Sequence, residues 1–241
     1  MDIIIGALAV LIATSVGAAA SLFIGCVDQR KNAVMLSFSA GAMAFSALEM
    51  LNESHRTADG FQMLFGFAVG LAVLVTADKI LPHVHHHLNK REIERAKKKA
   101  LLLGGAIALH NIPEGLSIAT AFASSASLGW FVTTIIAVQD IPEGALIAVP
   151  LVCCGLNRRD ATLYGVLSGL VEAGAAIAGF MLLSLFSPLI PSSLAFSAGA
   201  MAYVVLVELL PDAFSKGNER AGAISFAAGA GAAFLIATQL F

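Results

Sequence analysis

The chain has 241 residues, 58% of them hydrophobic and 12% charged, and its mean hydropathy is +0.86. A soluble domain carries about 25% charged residues, so this composition excludes a globule with a water-facing surface and points to the membrane class. The net charge is −2, and no basic stripe interleaved with aromatics is present, which excludes nucleic acid as a partner.

A bilayer crossing takes about 20 apolar residues. Eight runs qualify, at roughly 3–25, 33–52, 61–81, 101–123, 128–154, 161–185, 191–211 and 220–240. The first follows Met1-Asp2 without the positive n-region of a signal peptide, which predicts a retained helix. Cys26 follows it; with Cys153 and Cys154 the cysteines are odd in number and two are adjacent, which reads as small apolar residues near helix ends, not as a disulfide framework. Span two carries Phe38-Ser-Ala-Gly-Ala-Met-Ala44. After span three, residues 82–100 form the one stretch of soluble composition, opening with His83, His85, His86 and His87 and continuing through Lys90-Arg91-Glu92 to Lys99. These histidines are either part of a solvated loop or a labile metal-binding element, because imidazole clusters take up zinc and copper. In neither case are they expected to be essential.

Spans four and five each carry a polar word, His110-Asn-Ile-Pro-Glu-Gly115 and Gln139-Asp-Ile-Pro-Glu-Gly144. Span six adds Glu172, and span seven repeats the seven-residue word of span two as Phe196-Ser-Ala-Gly-Ala-Met-Ala202. The two copies lie five spans apart, an odd number, so they run through the bilayer in opposite directions, as in inverted-topology repeats. Recurrent small residues alone would reflect close helix packing, but that explains a seven-residue identity poorly. With eight spans, Arg56 falls on the side of the termini and the other 13 of the 14 Lys and Arg residues fall on the opposite side. The positive-inside rule then places the termini outside and the histidine loop in the cytoplasm. The fold expected is all-α: a polytopic membrane protein with eight transmembrane helices, a single domain over 1–241, and an inverted repeat of spans 1–3 against 6–8 with spans 4 and 5 at the centre.

Ionisable residues inside a membrane are costly and usually face a cavity or a partner. His110, Gln139 and Glu172 lie about 14–17 Å from the ends of their spans at 1.5 Å per residue, close to the middle of a core about 30 Å thick. His110 and Asn111 stand four and three residues before Glu114, and Gln139 and Asp140 repeat that spacing before Glu143, so each helix presents three polar groups on one face. Pro113 and Pro142 each remove a helical hydrogen bond, and irregular backbone is tolerated at depth where it lines a polar cavity. Gly115 and Gly144 let another helix or an ion come close. Imidazole, amide and carboxylate donors without thiolate suit zinc, iron, manganese or cobalt. Glu114, Asp140, Glu143 and Glu172 supply four negative charges when ionised, which two divalent ions would cancel. Glu49, Asp78, Glu208 and Asp212 lie near helix ends and can reach the interface, so no site is assigned to them.

At these two words the chain resembles the ZIP family of metal transporters, and its second word, opening with Gln-Asp, is similar to the bacterial GufA-like branch. The resemblance implies a homodimer in the plasma membrane that takes zinc and related divalent ions (cadmium, iron, manganese, cobalt) into the cytoplasm as substrates, without a catalytic cofactor. It implies a binuclear site: His110, Glu114, Gln139 and Glu143 around one ion, and Asn111, Glu114, Asp140, Glu143 and Glu172 around the other, with Glu114 and Glu143 bridging. Gln139 stands where many relatives have His, and an amide oxygen is a harder, weaker donor that would broaden metal choice. A metalloenzyme reading lacks the His-Glu-x-x-His motif, so an enzyme is not expected. A channel is separated from a carrier by the rate of flux, and a sensor by binding without flux.

Overall fold

The computed structural model describes residues 1–88, 111–214 and 217–240, and every regular element among them is helical. α1 (Asp2–Ala19) ends in a 3-10 turn, Ala20–Leu22. α2 (Gln29–Thr57) and α3 (Gly60–Leu88) follow, then α4 over 111–124, α5 (Ala126–Cys153) and α6 (Arg158–Leu185). α7 (Ile190–Tyr203) runs on through a π-helical stretch, Val204–Leu209, into α8 (Leu210–Ala213), and α9 (Glu219–Leu240) closes the chain. Seven of these rods are long and apolar enough to cross a membrane. The expected span 101–123 is represented by α4, and its first ten residues lie outside the described residues.

Helix ends follow local chemistry. The Asp28 carboxylate accepts the Lys31 amide at 2.8 Å and starts α2, an N-cap that satisfies an otherwise orphaned donor. That hydrogen bond, assisted by the neighbouring Lys31 charge, holds the Asp28 carboxyl below the usual carboxylate range. Ser125 and Asn157 cap α5 and α6 in the same way. α5 stops in a Schellman motif: Leu156 N–H bonds to Leu151 O at 3.1 Å and Gly155 N–H to Val152 O at 2.9 Å. Gly155 takes the φ of +95° that this requires. Two expectations are corrected. α2 is longer at both ends than 33–52, because its polar flanks continue the helix beyond the apolar run. α3 continues through His83–His87 to Leu88 instead of ending at 81, so the expected loop 82–100 starts as helix and the rest of it lies outside the described residues.

The helices pack as two groups. α1 lies against α5 and α6, whereas α2 lies against α9 and α7, and α3 against α7; α2 and α5 form the main seam between the groups. The repeated word explains the second group. A β-carbon at Gly41 would run into the Phe226 carbonyl, and one at Gly229 into the Phe38 carbonyl. In the other half, Gly70 meets the Phe196 carbonyl and Gly199 the Phe67 carbonyl in the same manner. Four Phe-x-x-Gly segments thus make two equivalent crossings, α2 on α9 and α7 on α3, in which missing side chains let backbones touch. Phe45 ties the seam, edge to face with Phe131 at 6.3 Å and with Phe234 at 6.1 Å. Outside, α1 exposes Ile4, Ile5, Leu8, Ile12 and Val16 as an apolar stripe, the surface that lipid covers.

The cysteines correct a further expectation. A disulfide joins Cys26, in the α1–α2 connector, to Cys153, the last residue of α5, with their Cα atoms 5.5 Å apart, and Cys154 is free. An odd cysteine count leaves room for one bridge; residues 127 apart in sequence give no local sign of meeting.

Candidate metal site

One residue, Ser125, separates α4 from α5, so the two helices return antiparallel and bring their polar words side by side. Phe122 and Trp130 meet edge to face at 5.4 Å beside this turn. Deeper in the pair, Gln139 Nε2 donates to Glu114 Oε1 at 2.6 Å. Glu114, Asp140 and Glu143 each turn one carboxylate oxygen toward a common point, and those three oxygens lie within 4.8 Å of one another. Oxygen ligands of one divalent ion, each about 2.0–2.2 Å from the metal, fit within such a spread after small side-chain shifts.

α6 supplies the third wall. Glu172 is fully buried and interacts electrostatically with Glu114, Asp140 and Glu143. One turn earlier, Ser168 donates from Oγ to Asn111 Oδ1 at 2.9 Å and fixes the amide that opens α4. The backbone lets these helices come close: a β-carbon at Gly115 would strike the Glu172 carbonyl, and one at Gly144 the Thr14 carbonyl of α1. The expected role of the two glycines is thereby made specific. Each admits a helix: α6 at Gly115 and α1 at Gly144.

The hydrogen-bond account of the cluster is lopsided. Glu114 Oε2, Asp140 Oδ2, both Glu172 carboxylate oxygens and Gln139 Oε1 are buried without a hydrogen bond of good geometry among the described residues. Buried polar atoms are nearly always satisfied, and every atom in this set is an acceptor. Uncompensated carboxylates in a low-dielectric interior are expensive, so the arrangement is chemically complementary to a cation. Glu143, 9% exposed, is the most open of the acidic residues.

Of the sequence-predicted ligands, Asn111, Glu114, Gln139, Asp140, Glu143 and Glu172 therefore stand in one cluster. His110 lies outside the described residues, as do the side chains of His83, His85, His86 and His87. Gln139 differs in detail from expectation: its amide nitrogen holds Glu114, while its oxygen has no hydrogen-bond partner among the described residues. Sequence reasoning missed Ser168 and Ser39. Ser168 precedes Glu172 by four residues, a spacing that could have revealed it. Ser39, within the first repeated word, donates to the Gln139 carbonyl at 3.3 Å, and Ser197 of the second word lies 3.4 Å from Thr120 of α4. The two copies of the repeat thus buttress the two site helices. Asp78, set aside as a helix-end residue, accepts the Tyr203 hydroxyl at 2.8 Å.

The ZIP zinc transporter family matches residues 78–237 of the chain. A zinc transporter ZupT of Chlorobium phaeovibrioides is 33% identical over 86% of this chain and 86% of its own length. A zinc transporter GufA of Myxococcus xanthus is 36% identical over 63% of this chain and 60% of that protein. A longer Arabidopsis thaliana protein, also bearing a zinc-transporter name, is 28% identical over 88% of this chain, which spans 34% of its length.

Proposed function

Since the chain belongs to the ZIP family of zinc transporters and fits its GufA-like branch, we propose that it carries divalent transition-metal ions, zinc foremost, from outside into the cytoplasm by alternating access. The observation that carries this reading is the set of converging carboxylate oxygens of Glu114, Asp140 and Glu143 beside buried Glu172, all within a membrane-spanning helix bundle.

A hydrated ion entering from the outer side exchanges water for the Glu114, Asp140 and Glu143 oxygens. Glu114 and Glu143, one from each antiparallel helix, bridge two ions in this reading; Gln139 and His110 complete the shell on one side, and Asn111, Asp140 and Glu172 on the other. Carboxylate, amide and imidazole donors without thiolate hold zinc less tightly than a closed structural site, which suits a ligand that must leave. Release follows when the group of α1, α4, α5 and α6 shifts against the group of α2, α3, α7 and α9 along the α2–α5 seam. The termini lie outside, the segment 82–100 lies inside, and the working unit is a homodimer. Cadmium, iron, manganese and cobalt are further substrates of an oxygen-rich site.

Zinc and cadmium uptake into proteoliposomes tests the reading, comparing the parent with Glu114→Ala and Glu143→Ala. Saturable uptake in the parent and at least a hundredfold loss in both variants is the expected result. Full uptake by Glu143→Ala would sink the site assignment, flux at single-channel rates would convert the carrier into a channel, and tight binding without flux would make the protein a sensor.

A further inference from the structure

The disulfide falls at a mechanically sensitive place. Arg158, the first residue of α6, donates from its guanidinium to the carbonyls of Ser21, Leu22 and Ile24 at 3.0, 2.7 and 3.4 Å. The α1–α2 connector is thereby held to the α1/α5/α6 group as far as Ile24. On the far side, Asp28 caps α2 and belongs to the other group. Only Gly25, Cys26 and Val27 stand between the two anchor points, and a β-carbon at Gly25 would touch nothing within 4 Å. Cys153 is rigid with the site helix, ten residues beyond Glu143 and locked at the helix end by the Schellman motif. Both bridged cysteines are exposed, and the connector is flanked by Arg30, Lys31, Arg158 and Arg159, on the side read as cytoplasmic.

We propose that Cys26 and Cys153 form a redox-modification site, a thiol–disulfide pair that sets the slack between the two helix groups. An extended chain reaches at most about 3.6 Å per residue. With free thiols, the four steps from Ile24 to Asp28 allow about 14 Å of reach. With the bridge formed, the last anchor moves to Cys26, and two steps allow about 7 Å. The oxidised form therefore ties α2 to the end of the site helix on a halved tether. The proposal rests on the alternating-access reading, because a tether matters only where the groups move.

A cytoplasmic face keeps thiols reduced at rest, so the bridge marks oxidative conditions. Its formation needs a low-molecular-weight disulfide as oxidant. One cysteine thiolate attacks that disulfide, forms a mixed disulfide and releases one small thiol. The second cysteine thiolate then attacks the protein-bound sulfur and displaces the other small thiol. Two protein thiols are oxidised, one external disulfide is reduced to two thiols, and reductant reverses the sequence.

The test uses the full-length protein in proteoliposomes, poised with glutathione disulfide or with reductant, and the bridge scored by mass. Non-cysteine spin labels at Gln29 on α2 and Arg159 on α6 report the spread of distances between the groups without requiring transport. The parent should show a distribution that narrows on oxidation and zinc uptake that falls at least fivefold. Cys26→Ser should show neither response, and Cys154→Ser should behave as the parent. Zinc-induced thermal stabilisation should be the same in both redox states, since the tether acts on movement and not on the ligands. An unchanged distance spread, or Cys26→Ser responding like the parent, overturns the proposal. Absence of uptake in both redox states would defeat the transport reading, and the distance spread alone would then decide this one.

Discussion

The contact between Gln139 and Glu114 is where a single side chain sets the character of the site. The amide donates to one carboxylate oxygen at 2.6 Å and so holds in place a carboxylate that faces Asp140 and Glu143. Hydrogen bonds to charged groups contribute about 1.5–3 kcal/mol, so Gln139→Ala should weaken zinc binding roughly tenfold or more, read as the concentration for half-maximal uptake. Gln139→His puts a softer nitrogen donor in place of the amide and should favour zinc over manganese in competition uptake. A ratio unmoved by that change would mean that Gln139 only positions Glu114. Ser168→Ala removes the donor to Asn111 and should have a smaller effect, about 1 kcal/mol, with Glu114 and Glu143 still able to bind.

At the scale of helices, the backbone crossings carry the stability. Gly70 and Gly229 sit where a side chain meets a carbonyl of the crossing helix, whereas Gly174 has nothing among the described residues within 4 Å of a β-carbon. Overpacking costs about 1–3 kcal/mol where neighbours can shift, and backbone yields less readily than side chains. Gly70→Val and Gly229→Val should therefore lower the melting temperature in detergent by several degrees, while Gly174→Val should leave it unchanged. Equal melting of all three would remove the crossings as the source of cohesion. These elements also mark what could be read from the sequence. The two polar words and the seven-residue repeat were visible because identity along the chain is visible. The partners of that repeat, Phe67-Ala-Val-Gly70 and Phe226-Ala-Ala-Gly229, were missed: the first shares only its Phe and Gly with the word, the second adds one Ala to these within its four residues, and the property common to all of them is backbone proximity. The apolar runs located the spans but not their ends, because Asp28 and the flanking polar residues extend α2 beyond the lipid. The Cys26–Cys153 bridge depends on how the α1–α2 connector folds against α5, and no spacing rule reports that.

For the molecule as a whole, metal binding can be read through stability. A ligand that binds only the folded state stabilises it by about 2.7 kcal/mol at a hundredfold excess over Kd. Zinc should raise the melting temperature of the parent and not that of a Glu114→Ala/Glu143→Ala double variant. Changing His83, His85, His86 and His87 together to Ala should leave uptake within about twofold of the parent, since those residues lie at the C-terminal end of α3, past its apolar run; loss of uptake would place them on the path. The crossing of α2 on α9 is repeated by that of α7 on α3, yet α2 is regular throughout while α7 loosens into a π-helical stretch two residues after its repeated word ends at Ala202. In the alternating-access cycle proposed above, two identical inverted halves would make the outward-open and inward-open forms equal in energy, each related to the other by the two-fold of the repeat. The wider turn at Val204–Leu209 breaks that identity. A difference of only about 1.4 kcal/mol between the two facings sets a tenfold resting ratio, so in that cycle this local loosening favours one facing before any ion arrives.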